Sequence, residues 1–452
     1  MFQEDTICAP ATPPVNSTLG IIRISGPDSL RAVHSAFSHP ARITARTAVF
    51  GTIIDNGKKI DDVILIYYPT PKSYTGEDMV EIICHGNQII VHRILRLLLD
   101  KGLRIAEPGE FSRRSFLNGK IDLTEAEAIN HVIRASSEWE VDTALKQMHG
   151  SLRDAINAIK ENVTDLKGDI EAGIDFIDQE IEFISYDAAR ERAGHMYHLL
   201  DDLLGRCRLG ERISHGIDIV ITGKPNVGKS SMLNYILNQE RAIVSDIPGT
   251  TRDIIKEPVQ INGIQINLMD TAGINQSDDK IEQLGVELSR KKVQTASIIL
   301  LVIDASTGIE SADRKIIESV RDKKTVYIIN KIDIADEKKI ATIEKDLGRD
   351  VVHFSALKGT GLKDLEYKLA DMLGSEFLDI NNTFIADLRV INILEQAIQN
   401  IKTIIGLIEV KEPVEFIAFE LQSLIDILSE ITGEISPEDV LNSIFSKFCI
   451  GK

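Results

Sequence analysis

The stretch GKPNVGKSS, residues 223–231, has the composition and spacing of a loop that binds phosphate groups. It fits G-x-x-x-x-G-K-[ST] and stands between a strand-like apolar run and a segment typical of a helix. Glycines at these positions let backbone N–H groups surround phosphate oxygens, Lys229 reaches the β- and γ-phosphates, and the Ser230 hydroxyl is a ligand for Mg²⁺. A chance glycine-rich turn does not account for the flanking strand and helix. We therefore predict a nucleoside triphosphate site here.

Further motifs follow in the order that a GTPase requires. DTAG, residues 270–273, ends a strand, and Asp270 there can hold Mg²⁺ through water. NKID, residues 330–333, also follows a strand, and Asp333 can accept hydrogen bonds from both N1 and N2 of guanine, which adenine does not offer. SALKGTG from Ser355 supplies a backbone amide near guanine O6. The ordered set predicts GTP as the nucleotide.

A loop between these motifs, DIPGTTRD, holds two threonines that can act as the switch threonine and complete Mg²⁺ coordination. Lys229 and Thr251 are predicted to take part in catalysis. The full predicted nucleotide site consists of Asn226, Val227, Gly228, Lys229, Ser230, Ser231, Ser245, Asp246, Ile247, Pro248, Gly249, Thr250, Thr251, Asp270, Thr271, Ala272, Gly273, Asn330, Lys331, Asp333, Ser355 and Ala356.

The hydrolysis chemistry departs from that of Ras-like GTPases, which place a glutamine after DTAG to orient the attacking water. Here the position holds Ile274, an apolar side chain. Glu282 is a nearby alternative, although the sequence alone favours a solvated glutamate on a helix face. The carbonyl oxygen of Asn226 suits a monovalent cation, but a loop-stabilising asparagine explains the residue equally well.

Composition and charge indicate a multidomain cytoplasmic protein that does not span a membrane and does not by itself attract nucleic acid. The 452 residues are enough for two to four domains, and no apolar run approaches the length that crosses a bilayer. The four cysteines show neither disulfide nor zinc spacing, so we expect a cytoplasmic protein. The net charge of −18 repels nucleic acid, so binding of RNA would need a partner or a local basic patch.

Patterning before the phosphate-binding motif indicates an α/β region followed by helices. Asn56 and Gly57, between two strand-like runs, predict a hairpin. Thr124 and Glu127 have capping-box spacing. Apolar residues at spacings of three and four predict one long helix over residues 145–177.

From Gly216 short apolar strands alternate with helical stretches, which predicts a doubly wound, mostly parallel sheet. Helices return after about residue 380, and the last is expected to have Ser436 as its cap and Pro437 at its first position. Two helical stretches that flank an α/β block predict one helical domain interrupted by an insertion.

At this point the sequence resembles the MnmE (TrmE) family of tRNA-modification GTPases along its whole length. The resemblance is carried by GKPNVGKSSMLN, DIPGTTRD, DTAGI, NKID, GEFSRRSFLNGKIDLTEAEA and the terminal FCIGK. It implies a tetrahydrofolate-binding and dimerisation domain (1–119), a helical domain in two parts (120–214 and 380–452) and an inserted GTPase domain (215–379). It also implies a constitutive homodimer whose GTPase domains pair in a K⁺-dependent way.

The resemblance also implies roles for individual residues. Glu282 would position the water indirectly, and K⁺ would replace an arginine finger. The implied K⁺ ligands are Asn226, Ser245, Ile247 and Thr250. The implied Mg²⁺ ligands are Ser230 and Thr251.

A folate site is implied at Arg23, Glu81, Lys120 and Lys452, for a 5-formyl- or 5,10-methylene-type tetrahydrofolate. The chemistry fits, because Glu81 can accept two hydrogen bonds from a pterin and the cations can meet carboxylates. Without the resemblance, ordinary surface charges would be the preferred interpretation.

The terminal cysteine, Cys449, stands where prenylation acts, but the following residues fit poorly and no basic stretch precedes it. We reject a lipid anchor and expect the tail to fold back to the folate pocket. Cys449 would then lie near the modification chemistry, either as a nucleophile or as a packing residue.

The resulting hypothesis is a GTPase that drives 5-carboxymethylaminomethyl or aminomethyl modification of the tRNA wobble uridine. The family resemblance implies a partner, the FAD protein MnmG, which would hold most of the tRNA. A ribosome-assembly or RNA-binding switch GTPase is the alternative, but neither a KH-type G-x-x-G loop nor a basic tail is visible in the sequence. A membrane-remodelling GTPase would need an apolar or basic membrane-facing segment, so we expect no membrane partner.

Overall fold

The computed structural model describes residues 5–38, 43–175, 184–240, 257–261, 263–270, 296–377 and 382–452. The chain divides into two compact units. One comprises residues 1–130, 146–200 and 393–452, and the other comprises residues 131–145 and 201–392.

The first unit begins with a seven-stranded sheet in the order β3-β4-β5-β6-β2-β1-β7. Its strands are β1 (Ile7–Pro10), β2 (Leu19–Ser25), β3 (Phe37–Ser38), β4 (Val49–Asp55), β5 (Lys58–Tyr68), β6 (Met79–His85) and β7 (Arg104–Ile105). Its helices are α1 (Ser29–His34), α2 (Gln88–Asp100) and α3 (Glu110–Leu117). Alternate side chains of the strands, such as Ile22, Ile24 and Ile82, are buried in one core with residues of α1 and α2.

The hairpin predicted from Asn56 and Gly57 is confirmed. Both residues have positive φ, 46° and 78°, and they join β4 to β5. Left-handed backbone at both central positions matches the right-handed twist of the flanking strands. This local rule required no knowledge of the rest of the chain.

Four helices follow: α4 (Leu123–Arg134), α5 (Glu138–Met148), α6 (Ser151–Asp175) and α7 (Tyr186–Ser214). The prediction of one helix over residues 145–177 is wrong, because α5 ends at Met148 and a new helix starts at Ser151. Gly150, with φ of 90°, reverses the backbone between them. The apolar periodicity is shared by two consecutive helices, and Ile177 lies outside the described residues.

The predicted capping box at Thr124 and Glu127 is also displaced. Helix α4 starts two residues earlier, and the box is formed by Asp122 and Glu125. The Asp122 Oδ1 atom accepts from the Glu125 N–H at 2.9 Å, and Glu125 Oε2 accepts from the Asp122 N–H at 2.9 Å. Aspartate caps a helix as well as threonine does. The sequence therefore contained two possible start points for this helix, two residues apart.

The second unit is built on a six-stranded sheet in the order β13-β12-β11-β8-β10-β9. Its strands are β8 (Ile217–Thr222), β9 (Glu257–Ile261), β10 (Ile264–Asp270), β11 (Ile298–Asp304), β12 (Thr325–Asn330) and β13 (Val351–His353). Its helices include α8 (Lys229–Glu240), α9 (Ser311–Ser319), α10 (Glu337–Leu347) and α11 (Leu362–Phe377). All described pairings are parallel except β9 with β10, which confirms the predicted mostly parallel sheet.

This topology brings three predicted site segments to one edge of the sheet. Strands β8, β10 and β12 run in the same direction, so their carboxyl ends meet at that edge. The phosphate-binding motif follows β8, Asp270 ends β10, and Asn330 ends β12. Apolar cores cover both faces of the sheet.

The chain ends with α12 (Leu388–Glu409), α13 (Val414–Thr432) and α14 (Glu438–Phe445). Helix α14 starts one residue later than predicted, and Pro437 is its cap residue. The Phe445 and Phe448 side chains are buried against Leu123 and Ala126 of α4. No helix within the described ranges combines the length and apolar character needed to cross a membrane.

Candidate functional site

The phosphate loop, residues 223–230, lies between β8 and the first turn of α8. Gly228 has φ of 96°, and a Cβ there would overlap the Nδ2 atom of Asn330. The loop therefore admits only glycine where it passes closest to the strand that carries NKID. Such a glycine-lined turn at a helix N-terminus presents backbone N–H groups to a phosphate, so the residues fit a nucleotide.

Lys229 is positioned by carbonyl groups of its own loop. Its Nζ donates to the carbonyls of Gly223 at 2.9 Å and Lys224 at 2.7 Å, and the residue is 6% exposed. The ammonium is thus held over the loop, where its charge complements phosphate. Ser230 follows in the first turn of α8, where a hydroxyl can meet Mg²⁺.

The predicted guanine loop, residues 330–333 with Ser355 and Ala356, is tied to the phosphate loop. Asn330 Nδ2 donates to the Val227 carbonyl at 2.8 Å, and Asn330 Oδ1 accepts from the Ala356 N–H at 3.3 Å. One buried amide thus joins three chain segments. Asn330 is 1% exposed, so the loss of either partner would leave a buried polar group unpaired.

Asp333 has the protonation state that guanine recognition needs. The Ser355 hydroxyl donates to its Oδ1 at 2.6 Å, and this bond holds the pKa of the Asp333 carboxyl below its ordinary value. The carboxylate stays ionised at neutral pH and acts only as an acceptor. Two N–H donors on one edge of a base are its natural complement.

The remaining predicted nucleotide, cation and water-positioning residues lie outside the described residues, except Asp270, which ends β10. These are Ser245, Asp246, Ile247, Pro248, Gly249, Thr250, Thr251, Thr271, Ala272, Gly273 and Glu282. Of the four implied K⁺ ligands, the structure describes Asn226, whose φ is 65°.

The sequence did not predict two ion pairs that hold the phosphate loop at Lys224. Its Nζ lies 2.8 Å from Glu310 Oε2 and 2.7 Å from Asp313 Oδ2, at the start of α9. The hydrogen bonds that Lys224 donates to Asp313 and Glu310 raise the pKa of its side chain. The only sequence signal was a second lysine in the motif, because its partners are more than eighty residues away.

A cavity of about 480 Å³ lies in the first unit. It is lined by Arg23, Tyr68, Tyr74, Glu81 and Lys452, among others. Three of the four predicted folate residues are therefore brought together. Lys120 is exposed and is not among the described residues that line the cavity.

Arg23 and Glu81 are directly opposite each other on the antiparallel strands β2 and β6. Glu81 Oε1 accepts from Arg23 Nε at 3.1 Å and Nη2 at 2.9 Å. The Arg23 guanidinium also lies 5.6 Å from the centre of the Tyr74 ring and 5.8 Å from that of Phe111. Among the described residues, Glu81 Oε2 has one long contact, from the Tyr68 hydroxyl at 3.4 Å, and so keeps most of its acceptor capacity for a ligand.

The C-terminal tail, residues 449–452, forms part of this cavity. Arg23 Nη1 donates to the Gly451 carbonyl at 3.0 Å, and the Gly109 N–H donates to the Cys449 carbonyl at 3.4 Å. Gly451 has φ of 93°, and a Cβ there would overlap the Pro10 carbonyl oxygen. Burial and the charge of Arg23 lower the pKa of the Lys452 side chain.

The four cysteines differ sharply in exposure. Cys8, Cys84 and Cys207 are buried, and burial raises the pKa of their thiols to about 12, 11 and 12 respectively. Thiols with such values stay protonated and unreactive at neutral pH. Cys449 is exposed beside the cavity and is the one thiol open to a reactant.

Two family descriptions together match nearly the whole chain. The family description "GTP-binding protein TrmE N-terminus" matches residues 6–120, and "MnmE helical domain" matches residues 123–449. A solved structure of Era with MgGDPNP and a segment of 16S ribosomal RNA is 33% identical over 34% of this chain and 56% of that chain, with a TM-score of 0.29.

Two curated relatives span the full chain. One from Thermotoga maritima is 40% identical over 451 residues, which is 99% of this chain and 100% of that protein. One from Aquifex aeolicus is 41% identical over the same shares. Both are named tRNA modification GTPase MnmE, and with two family descriptions that match nearly the whole sequence, the chain belongs to the MnmE family of tRNA modification GTPases.

Proposed function

We propose that this chain hydrolyses GTP in a K⁺-dependent cycle that drives carboxymethylaminomethyl or aminomethyl modification of the tRNA wobble uridine in the cytoplasm. The observation that carries the proposal is the guanine loop. Asn330 joins it to the phosphate loop, and Asp333, which accepts a hydrogen bond from the Ser355 hydroxyl, is a carboxylate that can accept from two guanine N–H groups. This arrangement selects GTP over ATP by hydrogen-bond chemistry.

Within the GTPase domain, residues 215–379, the phosphate loop binds the nucleotide and Lys229 neutralises phosphate charge. We assign Ser230 and Thr251 to Mg²⁺ and Glu282 to water positioning, because Ile274 has no polar group for that task. K⁺, when bound, supplies positive charge where charge develops on the phosphates. Asn226 with Ser245, Ile247 and Thr250 would hold it.

The cavity at β2 and β6 is our proposed site for a 5-formyl- or 5,10-methylene-type tetrahydrofolate. The Oε2 atom of Glu81 is the better acceptor for a pterin, because Oε1 is engaged by Arg23. Lys452 would supply a cation for folate carboxylates, and exposed Cys449 would lie near the one-carbon chemistry. Lys120, which is outside the cavity lining, is assigned to the flexible glutamate end of the ligand.

A homodimer is proposed through the same sheet in residues 1–119. An apolar row crosses four strands on the face that holds Arg23 and Glu81, and its members are Ile21, Ile83, Ile64 and Phe50. Phe50 is 65% exposed and Ile64 is 38% exposed. A second copy would cover this row and border the folate cavity.

This row gives the dimer a direct test. F50D places a charge in the proposed interface and should convert the dimer to a monomer in sedimentation velocity. N56D, at the exposed turn of the same hairpin, is the control because it adds the same charge outside the row. A dimer that persists at micromolar concentration in F50D would exclude this face.

We propose MnmG, the FAD protein, as the partner that supplies redox chemistry and most of the tRNA surface. The net charge of −18 supports this division, because the chain by itself repels phosphate. The helical segments 120–214 and 380–452 would link GTP turnover to the folate site.

Mass analysis of tRNA nucleosides tests the modification. Cells that lack the protein should lose the modified wobble uridines, and unchanged nucleosides would refute this part of the proposal. The cation assignment has its own test, because hydrolysis should be much faster in K⁺ than in Na⁺. Equal rates in the two salts would remove the K⁺ site.

A further inference from the structure

A buried carboxylate, Asp304, lies between the two loops of the nucleotide site. It is the last residue of β11, which pairs with β8 on one side and β12 on the other. Asp304 is opposite Asn330 in the register and is 6% exposed. The sheet thus places it between the strand that leads to the phosphate loop and the strand that leads to the guanine loop.

The two oxygens of Asp304 have different partners. Oδ1 accepts from the Ser306 N–H at 2.8 Å and its hydroxyl at 2.6 Å, which forms a local turn. Oδ2 accepts from Lys331 Nζ at 2.6 Å. The two hydrogen bonds from Ser306 are sufficient to form the turn. The hydrogen bond from Lys331 must therefore have another role.

Lys331 carries the contact onward to the phosphate loop. Its Nζ also donates to the backbone carbonyl of Asn226 at 2.8 Å. Lys331 and Asn226 both have left-handed backbone, with φ of 64° and 65°. Such conformations in non-glycine residues are unfavourable and persist only when neighbouring contacts hold them.

Electrostatics agree with this arrangement. Burial acts to raise the pKa of Asp304, but hydrogen bonds from Lys331 and Ser306 outweigh it and hold the pKa below its ordinary value. The carboxylate is therefore ionised opposite an ammonium whose side chain is 32% exposed. A lysine this accessible would sample other rotamers without a fixed anion beside it.

We propose that Asp304 is a positioning residue of the GTP site, which holds the Lys331 ammonium on the Asn226 carbonyl and thereby joins the guanine loop to the phosphate loop. Asp304 does not touch the nucleotide in this scheme. It acts through Lys331 and sets the affinity for GTP and GDP. The inference rests on the guanine nucleotide site proposed above.

The test is a double-mutant cycle in the full chain, with the affinity for fluorescent mant-GDP as the readout. D304N retains the Ser306 turn and removes the anion, and K331M removes the ammonium but keeps the apolar stem. We expect each single variant to bind about tenfold more weakly. The double variant should also be about tenfold weaker, because both changes break one chain of contacts.

D322N is the matched control, since Asp322 is exposed in the turn before β12 and the charge change is the same. Its affinity should stay within about twofold of wild type. D304N should raise the KM for GTP about tenfold and leave kcat within about twofold, which a general loss of folded protein would not do.

The proposal is overturned if D304N binds mant-GDP like wild type, or if the two single effects multiply to about 100-fold. Wild-type protein that binds mant-ADP as tightly as mant-GDP would instead overturn the guanine site itself. Wild-type selectivity for GDP with an unaffected D304N would leave the guanine site standing and refute the role of Asp304.

Discussion

The nucleotide site and the proposed folate cavity are assembled in different ways. The nucleotide site consists of short motifs that each follow a strand, and its glycines and caps act within a few residues. The cavity depends on Arg23, which reaches Glu81 on another strand and Gly451 at the far end of the chain. The distant contacts of the nucleotide site stay within its own sheet and the helices beside it, whereas the cavity also depends on a tail of four residues.

The largest expected effect is a loss of nucleotide affinity that leaves the folate affinity unchanged. D333N exchanges an acceptor-only carboxylate for an amide, so affinity for mant-GDP should fall at least about 100-fold while mant-XDP gains affinity. Calorimetry with 5-formyltetrahydrofolate should show unchanged folate binding. If D333N lost both affinities together, the two sites would be coupled, which would contradict their separate assembly.

Removal of residues 449–452 should impair the proposed folate cavity and leave the nucleotide site intact. Arg23 loses the Gly451 carbonyl and the cavity loses Lys452, so folate affinity should fall at least about tenfold while GTP turnover stays within about twofold. S446A, an exposed change just before the tail, is the control. Full folate affinity in the truncated chain would show that the tail is dispensable.

The ion pairs of Lys224 with Glu310 and Asp313 should contribute unequally to nucleotide affinity. Asp313 is 2% exposed and Glu310 is 59% exposed, so D313N should weaken mant-GDP binding about threefold to tenfold, and E310Q less than about twofold. K224M should match D313N. Equal effects from the buried and the exposed carboxylate would contradict this ranking.

The smallest effect is a pH dependence of folate binding. Burial and Arg23 lower the pKa of Lys452 below its ordinary value of 10.5, so the ammonium is present at low pH and is lost as pH rises through the shifted value. Affinity for a folate carboxylate should therefore decline with rising pH about two- to threefold. K452R, which stays charged, should flatten the profile measured by calorimetry, and identical profiles would exclude Lys452 as the titrating group.

Some elements could be predicted because their cause is local. The Asn56–Gly57 hairpin and the mostly parallel sheet follow from turn chemistry and apolar runs, and both are confirmed. The long helix over residues 145–177 and the start of α4 were mispredicted. Periodicity does not register the break at Gly150, and Asp122 competes with Thr124 as a cap.

The sequence by itself determined the nucleotide chemistry, since the glycines, Lys229 and Asp333 act through spacings that a strand and a turn impose. Only the tertiary structure decided which distant charges meet. The pairs Arg23–Glu81 and Asp304–Lys331 exist because sheet register aligns strands that are far apart in the chain. The physical reason is that backbone hydrogen bonding sets local geometry within a few residues, whereas charge pairing depends on the packing of the whole sheet.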